Sequence, residues 1–279
     1  MTGSDTRHIL VVANETSASQ TLIDRLVEKA KEGEVQVTVL APVTQPRQGY
    51  VVYYDTRRAA ARRRLDRTLD TLRAAGVPAT GVVIEADPVS ALRDAIQQLE
   101  PDEVVVSTHP QKQSGWLRRN LVDQMRGVVG SLPFEHVVVD LEAEQGPANV
   151  LVVANQTVLG DPLLEKIRER AAAGPASFLI ISPQGDSDSS HEDAERRLLR
   201  AVTTLRSEGL DVHGQISHPD PYAAVIQTLE DERVNEIIVS TFPGARSGWL
   251  RRDLVGRLRG DTKLPVEHVE VDMPAAVTA

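Results

Sequence analysis

Cysteine is absent from the 279-residue sequence, and aromatic residues make up only 3% of it. Without cysteine the chain forms neither disulfide bonds nor thiolate metal sites. No run of about twenty apolar residues occurs, which argues against a membrane-spanning helix. The first residues, MTGSDTRHILVVAN, have a polar start and then an apolar run of strand length, unlike a signal peptide. The sequence therefore predicts a soluble, cytoplasmic protein.

Positive charge is in deficit, with 31 Lys and Arg residues against 40 Asp and Glu residues and a net charge of −9. This balance disfavours broad binding to nucleic acid or to an anionic membrane surface, because both are negatively charged. An arginine-rich stretch, ARRRLDR at residues 61–67, has no interleaved aromatic residues, so we interpret it as the solvated face of a helix. We expect neither nucleic acid nor membrane as a partner.

Several phrases occur twice along the chain, which indicates a tandem duplication. HILVVANET at residues 8–16 returns as NVLVVANQT at residues 149–157, an offset of 141. DPVSAL at residues 87–92 returns as DPYAAV at residues 220–225, an offset of 133. The first copy therefore carries eight extra residues between these two phrases.

A third repeated phrase contains both tryptophans of the chain. SGWLRRNLV at residues 114–122 returns as SGWLRRDLV at residues 247–255. The length of the chain and its 41% apolar content are sufficient for a core in each copy. We place the two domains at residues 1–143 and 144–279.

Short runs rich in Val and Ile alternate with helical patterns in each copy. The strand-like runs of the first copy are residues 9–13, 35–40, 82–84, 104–106 and 137–139. Helical stripes cover residues 21–31, 56–75 and 88–99. Runs of this kind are typical of strands that are buried on both faces. The order βαβαβαβαβ predicts an α/β fold with two tandem Rossmann-like domains, each a five-stranded parallel sheet flanked by helices.

The third helix of each copy has its own start signal. Asp87 is followed by Pro88, and Asp220 is followed by Pro221. An acidic N-cap with proline at the first helical position is favourable, so we predict a structural role for both aspartates.

Polar residues follow the first and the fourth predicted strand in both copies. In parallel sheets of this type, ligands bind beyond the carboxyl ends of the strands, where the winding direction reverses. Arginine binds phosphate or carboxylate with two parallel hydrogen bonds, and hydroxyl groups both donate and accept. The candidate ligand-binding residues are Asn14, Thr16, Ser107, Thr108, Ser114, Arg118, Arg119, Asn155, Thr157, Ser240, Thr241, Ser247, Arg251 and Arg252. They predict a site for a small anionic ligand.

Structural roles are an open alternative for these residues. Trp116 can hold its loop against the sheet, and Ser114 or Asn120 can cap a helix. Asn14 ends a buried strand and can turn the chain through an Asx-type hydrogen bond, while Thr16 can cap the first helix. The two kinds of role are compatible with each other.

The histidines give little support to catalysis or to metal binding. His136 and His268 recur at the start of the fifth strand, without a Cys or His partner at metal-ligand spacing, so we expect structural roles and no metal site. His109 is replaced by Phe242 in the second copy, which argues against an essential role shared by both copies. No nucleophile with an evident base is recognisable, and we predict no catalytic residue.

The tandem halves, the strand order, the polar loop after the first strand and the long loop after the fourth resemble the universal stress protein family. In that family the first strand usually ends in Asp-Gly-Ser, and the later loop carries Gly-x-x-Gly, a spacer and Gly-Ser or Gly-Thr. Here Asn14 and Asn155 replace the aspartate. Ser107 and Pro110 replace the paired glycines in the first copy, as Ser240 and Pro243 do in the second.

The resemblance implies a stress-response-type protein with ATP or another adenine nucleotide as its ligand. It also implies an internal pseudo-dimer in which residues 134–140 and 266–272 pair as antiparallel strands. Glycine-free loops cannot wrap phosphate with backbone N–H groups in the family's manner, because proline lacks that donor and fixes φ.

Two functional hypotheses follow. The first is a non-enzymatic protein that binds a nucleotide or another small anionic ligand, and the alternative is a ligand-free interaction scaffold. No Walker lysine or Mg²⁺-binding pattern is recognisable, so we do not expect an ATP-hydrolysing enzyme. The tyrosines of the first copy, Tyr50, Tyr53 and Tyr54, offer a contact surface for a homodimer.

Overall fold

The computed structural model describes residues 6–43, 52–110, 120–141, 143–144, 146–184, 188–244, 249 and 253–272, with the side chains of 52–56 and 188–190 excepted. Within it the chain forms two compact units, residues 1–146 and residues 147–279, which we call the first and the second unit.

The first unit is a parallel sheet of five strands in the order β3-β2-β1-β4-β5. Its strands are β1 (Arg7–Val12), β2 (Val35–Pro42), β3 (Ala79–Ile84), β4 (Glu103–Thr108) and β5 (Phe134–Val138). Its helices are α1 (Gln20–Lys31), α2 (Val52–Ala74), α3 (Pro88–Leu99) and α4 (Leu121–Val129). The reversal of winding lies between β1 and β4, as the sequence predicts.

The second unit repeats this topology with the order β8-β7-β6-β9-β10. Its strands are β6 (Ala148–Val153), β7 (Ala176–Pro183), β8 (Asp211–Ser217), β9 (Glu236–Thr241) and β10 (Val266–Glu270). Its helices are α5 (Asp161–Ala172), α6 (Asp188–Ser207), α7 (Pro221–Asp231) and α8 (Leu254–Thr262). The predicted fold class is thereby confirmed for both copies.

The central strand β1 divides the core of the first unit into two layers. Ile9 and Val11 point to the layer that contains α1 and α2, whereas Leu10 and Val12 point to the layer that contains α3 and α4. All four side chains are completely buried. Alternation of this kind on a strand buried on both faces produces the uninterrupted apolar run seen in the sequence.

The extra residues of the first copy lie in the connection from its second strand to its second helix and in that helix itself. Residues 43–51 connect β2 to α2, while residues 184–187 connect β7 to α6. The helix α2 has 23 residues and α6 has 20, so part of the extra length is helical. Tyr50 and the side chains of Tyr53 and Tyr54 lie outside the described residues, and the homodimer stays a prediction.

The N-cap predictions are confirmed. Asp87 accepts hydrogen bonds from the N–H groups of Val89 (3.1 Å) and Ser90 (3.2 Å). Asp220 accepts one from the N–H group of Ala223 at 2.8 Å. Both aspartates therefore satisfy backbone donors that a helix N-terminus leaves unpaired.

An ion-pair network crosses the amino end of the first sheet, opposite the candidate site. Lys29 Nζ on α1 lies 2.6 Å from Glu103 Oε1 on β4 and 2.7 Å from Glu135 Oε2 on β5. Arg25 Nε lies 2.6 Å from Glu135 Oε1. Burial by itself would lower the pKa of Lys29, but the hydrogen bonds to both carboxylates outweigh it and raise that pKa. The lysine is therefore charged in the folded unit.

The second unit builds the corresponding network with lysine and arginine exchanged. Arg170 is bonded to Glu236 at the position of the Lys29–Glu103 pair. Lys166 Nζ lies 2.6 Å from Glu267 Oε1, where the first unit has Arg25 and Glu135. The carboxylates are kept and the cations trade places, so opposite charge is retained at both positions.

Candidate functional site

Asn14 ties three elements together at the carboxyl end of the first sheet. Its Nδ2 donates to the carbonyl oxygen of Pro42 at the end of β2, at 3.0 Å. Arg64, on α2, donates from Nη2 to Asn14 Oδ1 at 2.8 Å and from Nε to the Asn14 carbonyl oxygen at 3.3 Å. The asparagine amide therefore holds a guanidinium group at the edge where ligands bind in this fold.

Asn155 makes the same arrangement in the second unit. Its Nδ2 donates to the carbonyl oxygen of Pro183 at 2.6 Å and to Gln184 Oε1 at 2.9 Å. Arg197, on α6, donates from Nη2 to Asn155 Oδ1 at 3.1 Å. The duplicated chain has thus kept an asparagine, an arginine and a strand-end carbonyl in contact in both units.

The sequence-based interpretation of ARRRLDR as a solvated face is wrong for Arg64. Arg62 is exposed and pairs with Asp66 on α2, but Arg64 is half-buried against Asn14. Both arginines that meet a strand-end asparagine were missed. The available signal was the repeat itself, since Arg64 and Arg197 stand at the same offset of 133 that relates the later phrases.

The threonines after the first strands are buried rather than capping. Thr16 and Thr157 are 2% and 3% exposed. Thr157 Oγ1 donates to the carbonyl oxygen of Ser240 at 3.2 Å, which ties the loop after β6 to the end of β9. Ser19, not Thr16, is the N-cap of α1, and its side chain accepts from the N–H group of Leu22. The capping interpretation of Thr16 is therefore wrong.

The serine before the last residue of each fourth strand has an unsatisfied hydroxyl group. Ser107 and Ser240 are each 1% exposed, and their Oγ atoms have no hydrogen-bond partner among the described residues. Buried hydroxyl groups normally have a partner, so each of these calls for an explanation. The neighbouring threonines differ, since Thr108 Oγ1 lies 2.9 Å from His136 Nε2 and Thr241 Oγ1 lies 2.8 Å from His268 Nε2. Those histidines support the fold, as their recurrence predicts.

A charged contact distinguishes the first unit. Glu15 Oε2 lies 2.8 Å from His109 Nε2, so an ionised Glu15 accepts a hydrogen bond from the imidazole. This bond, together with the charges of Arg64 and Arg57, lowers the pKa of Glu15 although partial desolvation opposes it. The second unit has Gln156 and Phe242 at the two positions. We call the surroundings of Asn14, with Glu15, Arg64, Ser107 and His109, the first site. The second site is the set around Asn155, namely Gln156, Arg197, Ser182 and Ser240.

The remaining candidates belong to the repeated tryptophan phrase. The following residues of this phrase lie outside the described ranges: Ser114, Trp116, Arg118, Arg119, Ser247, Arg251 and Arg252. Trp249 is half-buried and packs against the apolar cluster that contains Leu254 and Val255. That contact agrees with a clamp role for this tryptophan.

Within the described ranges, no group of three or more His, Asp or Glu side chains is arranged to hold a metal ion. None of the helices described there is both long enough and apolar enough to cross a membrane.

A family model matches the first unit of the chain. Residues 5–140 match the model of the universal stress protein family. No curated protein matches the chain in sequence.

Several solved structures of universal stress proteins are similar to the chain at low sequence identity. A universal stress protein from Archaeoglobus fulgidus DSM 4304 is 17% identical over 95% of this chain and 96% of its own, with a TM-score of 0.39. A family protein from Arabidopsis thaliana with AMP bound is 12% identical over 50% of this chain and 96% of its own, with a TM-score of 0.36. The universal stress protein from Archaeoglobus fulgidus in complex with dAMP is 11% identical over 48% of this chain and 98% of its own, with a TM-score of 0.33.

Proposed function

We propose that the protein binds a small anionic ligand, with a nucleotide as the expected class, without chemically changing it, because residues 5–140 match the model of the universal stress protein family. The binding takes place at the carboxyl ends of the sheets. Its role is that of a stress-response-type binding protein rather than of an enzyme.

The observation that carries this proposal is the repeated contact between a strand-end asparagine and an arginine of the second helix. Arg64 and Arg197 are placed in the same way although their helices are preceded by connections of different length. A guanidinium group fixed by an amide is pre-organised, so less conformational entropy is lost when it binds phosphate.

The unsatisfied serines support the same location. Ser107 follows the residue of β4 that pairs with Val12, so it lies level with Ala13 at the end of β1. Ser240 lies level with Ala154 in the same way. A buried hydroxyl group without a partner costs about 1–3 kcal/mol, and a ligand oxygen at this edge would recover that free energy.

Side chains take over what glycine-rich loops do elsewhere. Pro110 and Pro243 have no N–H group to offer a phosphate. Guanidinium and hydroxyl donors are sufficient for the task, because hydrogen bonds to a charged group are about twice as strong as those between neutral groups. Anion binding by side chains therefore needs no Gly-x-x-Gly loop.

The test is a thermal-shift titration of the purified, ligand-stripped full chain with AMP, ATP and inorganic phosphate. A ligand at 100 times its Kd stabilises the folded state by about 2.7 kcal/mol, which raises the melting temperature measurably. The double variant Arg64→Gln/Arg197→Gln should lose the shift. The matched control Arg62→Gln/Arg196→Gln alters exposed ion-paired arginines of the same two helices and should keep it.

Three results would decide the matter. A shift that survives in Arg64→Gln/Arg197→Gln would show that binding takes place elsewhere. Silence of the wild-type protein at saturating concentrations of all three probes would favour the ligand-free scaffold. ATP converted to ADP during the titration would contradict the non-enzymatic role.

A further inference from the structure

The two candidate sites differ in charge at one position. Glu15 and Gln156 each follow the strand-end asparagine directly, and both are exposed. In the first site the Glu15 carboxylate lies beside His109, at 2.8 Å. In the second site the amide of Gln156 and the phenyl ring of Phe242 replace this pair. An anion that approaches the second site therefore meets no carboxylate at this position.

The two arginines also differ in how their donors are used. Arg64 donates to Asn14 from both Nη2 and Nε. Arg197 donates to Asn155 from Nη2, whereas its Nε is a buried donor with no partner among the described residues. A buried N–H group without a partner destabilises the fold unless something supplies an acceptor. The second site thus retains an unsatisfied donor on the guanidinium group itself.

A second buried hydroxyl distinguishes the second site. Ser182 and Ser240 follow the residues of β7 and β9 that pair with Val153, so they flank Ala154 in one row across the sheet. Both are 1% exposed or less, and neither Oγ has a partner among the described residues. Residues in one row of a parallel sheet point to the same face, and Ala154 packs in the layer that contains α6, the helix of Arg197. In the first site, Ala41 stands in place of Ser182 and has no hydroxyl group.

We propose that the second site is the working anion site of the chain and that Glu15 keeps the first site closed to anions. This inference rests on the proposed function. The ionised Glu15 carboxylate occupies the position from which a phosphate oxygen would approach His109 and Arg64, and it repels that phosphate. The second site combines the arginine with Ser182 and Ser240 and has no such competitor.

The inference is tested by exchanging Glu15 and Gln156 between the two sites and measuring how many ligand molecules each chain binds. Isothermal titration of the full-length protein with AMP and with inorganic phosphate should give one equivalent per chain for the wild type. Glu15→Gln should raise this number to two. Gln156→Glu should weaken the single site by at least about tenfold, because a like charge in the site opposes the ligand.

The double exchange Glu15→Gln/Gln156→Glu locates the ligand. It should again bind one equivalent, now in the first unit. Adding Ser182→Ala should weaken binding by the wild type and leave the doubly exchanged variant unchanged, since only the second site contains that hydroxyl group. Both exchanged positions are exposed, and circular dichroism should show unaltered folding for each variant.

The outcomes separate this inference from the function on which it rests. Two equivalents in the wild type, or unaltered affinity in Gln156→Glu, would overturn the inference and leave the proposed function intact. Loss of the single wild-type site in Arg64→Gln but not in Arg197→Gln would overturn it as well. Absence of binding in every variant, Glu15→Gln included, would overturn the proposed function together with the inference.

Discussion

Replacing Lys29 by Met should destabilise the first unit by about 3–5 kcal/mol, because it leaves a carboxylate buried without its main partner. The Lys29 and Glu103 side chains are only 7% and 9% exposed, and their charged atoms are 2.6 Å apart. At an effective dielectric constant of about 20, unit charges at this distance attract by about 6 kcal/mol, part of which offsets the desolvation of both groups. After the substitution, the cation that remains near Glu103 among the described residues is Arg7, at 3.9 Å.

The assay is urea unfolding of the full chain, monitored by circular dichroism. The free energy of unfolding is taken from the transition whose midpoint changes with the substitution. The double variant Lys29→Met/Glu103→Leu should recover most of the loss, because a buried ion pair and a well-packed apolar pair have similar stability. The control Arg168→Gln breaks a pair with Glu208 in which the side chains are 42% and 34% exposed, and it should leave the free energy of unfolding nearly unaltered. A loss below about 1 kcal/mol for Lys29→Met, or an equal loss for Arg168→Gln, would refute the reasoning.

Three further outcomes are expected. Burial and the charge of Arg126 lower the pKa of His136 below its ordinary value of 6.5, so the folded state binds this proton less tightly than the unfolded chain does. The free energy of unfolding should therefore fall as the pH drops below 6.5. Urea midpoints measured against pH should fall less steeply for His136→Gln than for the wild type, and parallel curves would contradict this. Gly81→Ala should cost about 1–3 kcal/mol by overpacking, because a Cβ atom there would lie 2.8 Å from the Val39 carbonyl oxygen, which belongs to the sheet backbone, and 2.7 Å from a Leu65 methyl carbon. Gly33→Ala, with nothing within 4 Å of the new atom, is the matched control in the same urea assay. Asp87→Ala should lower the free energy of unfolding by about 1 kcal/mol, because the N-cap of α3 is lost. Asp87→Ser should keep the stability, since serine also caps a helix N-terminus. Equal stability of the two variants would contradict the prediction.

The parallel five-stranded sheets and most helices could be predicted because apolar strands and amphipathic helices leave a periodic pattern in the sequence. Strand ends were less accurate, since β4 extends from Glu103 to Thr108 while the apolar run covers only 104–106. Glu103 was not predicted as part of β4, because a carboxylate is not expected in a buried strand unless a cation such as Lys29 is known to lie beside it. The antiparallel pairing of residues 134–140 with 266–272 stays a prediction.

The candidate site was only partly predictable for a related reason. Asn14 could be selected by its place at the end of a strand. Its partner Arg64 is 50 positions away on a helix where Arg62 faces solvent, and no local pattern separates the two arginines. The contact depends on the rotation of α2 against the sheet, which is a tertiary property.

The central position of β1 in its sheet affects how the chain folds during synthesis on the ribosome. Its Leu-Val-Val sequence is repeated in β6, the central strand of the second unit. A ribosome delivers β2, β3, β4 and β5 before residue 148, where β6 begins, so the first sheet has all its own strands before a competitor for its centre exists. A full-length chain diluted from denaturant presents both central strands at once, and exchange between repeated segments is a characteristic failure of such proteins. Vectorial synthesis thus separates in time two segments that sequence alone barely distinguishes.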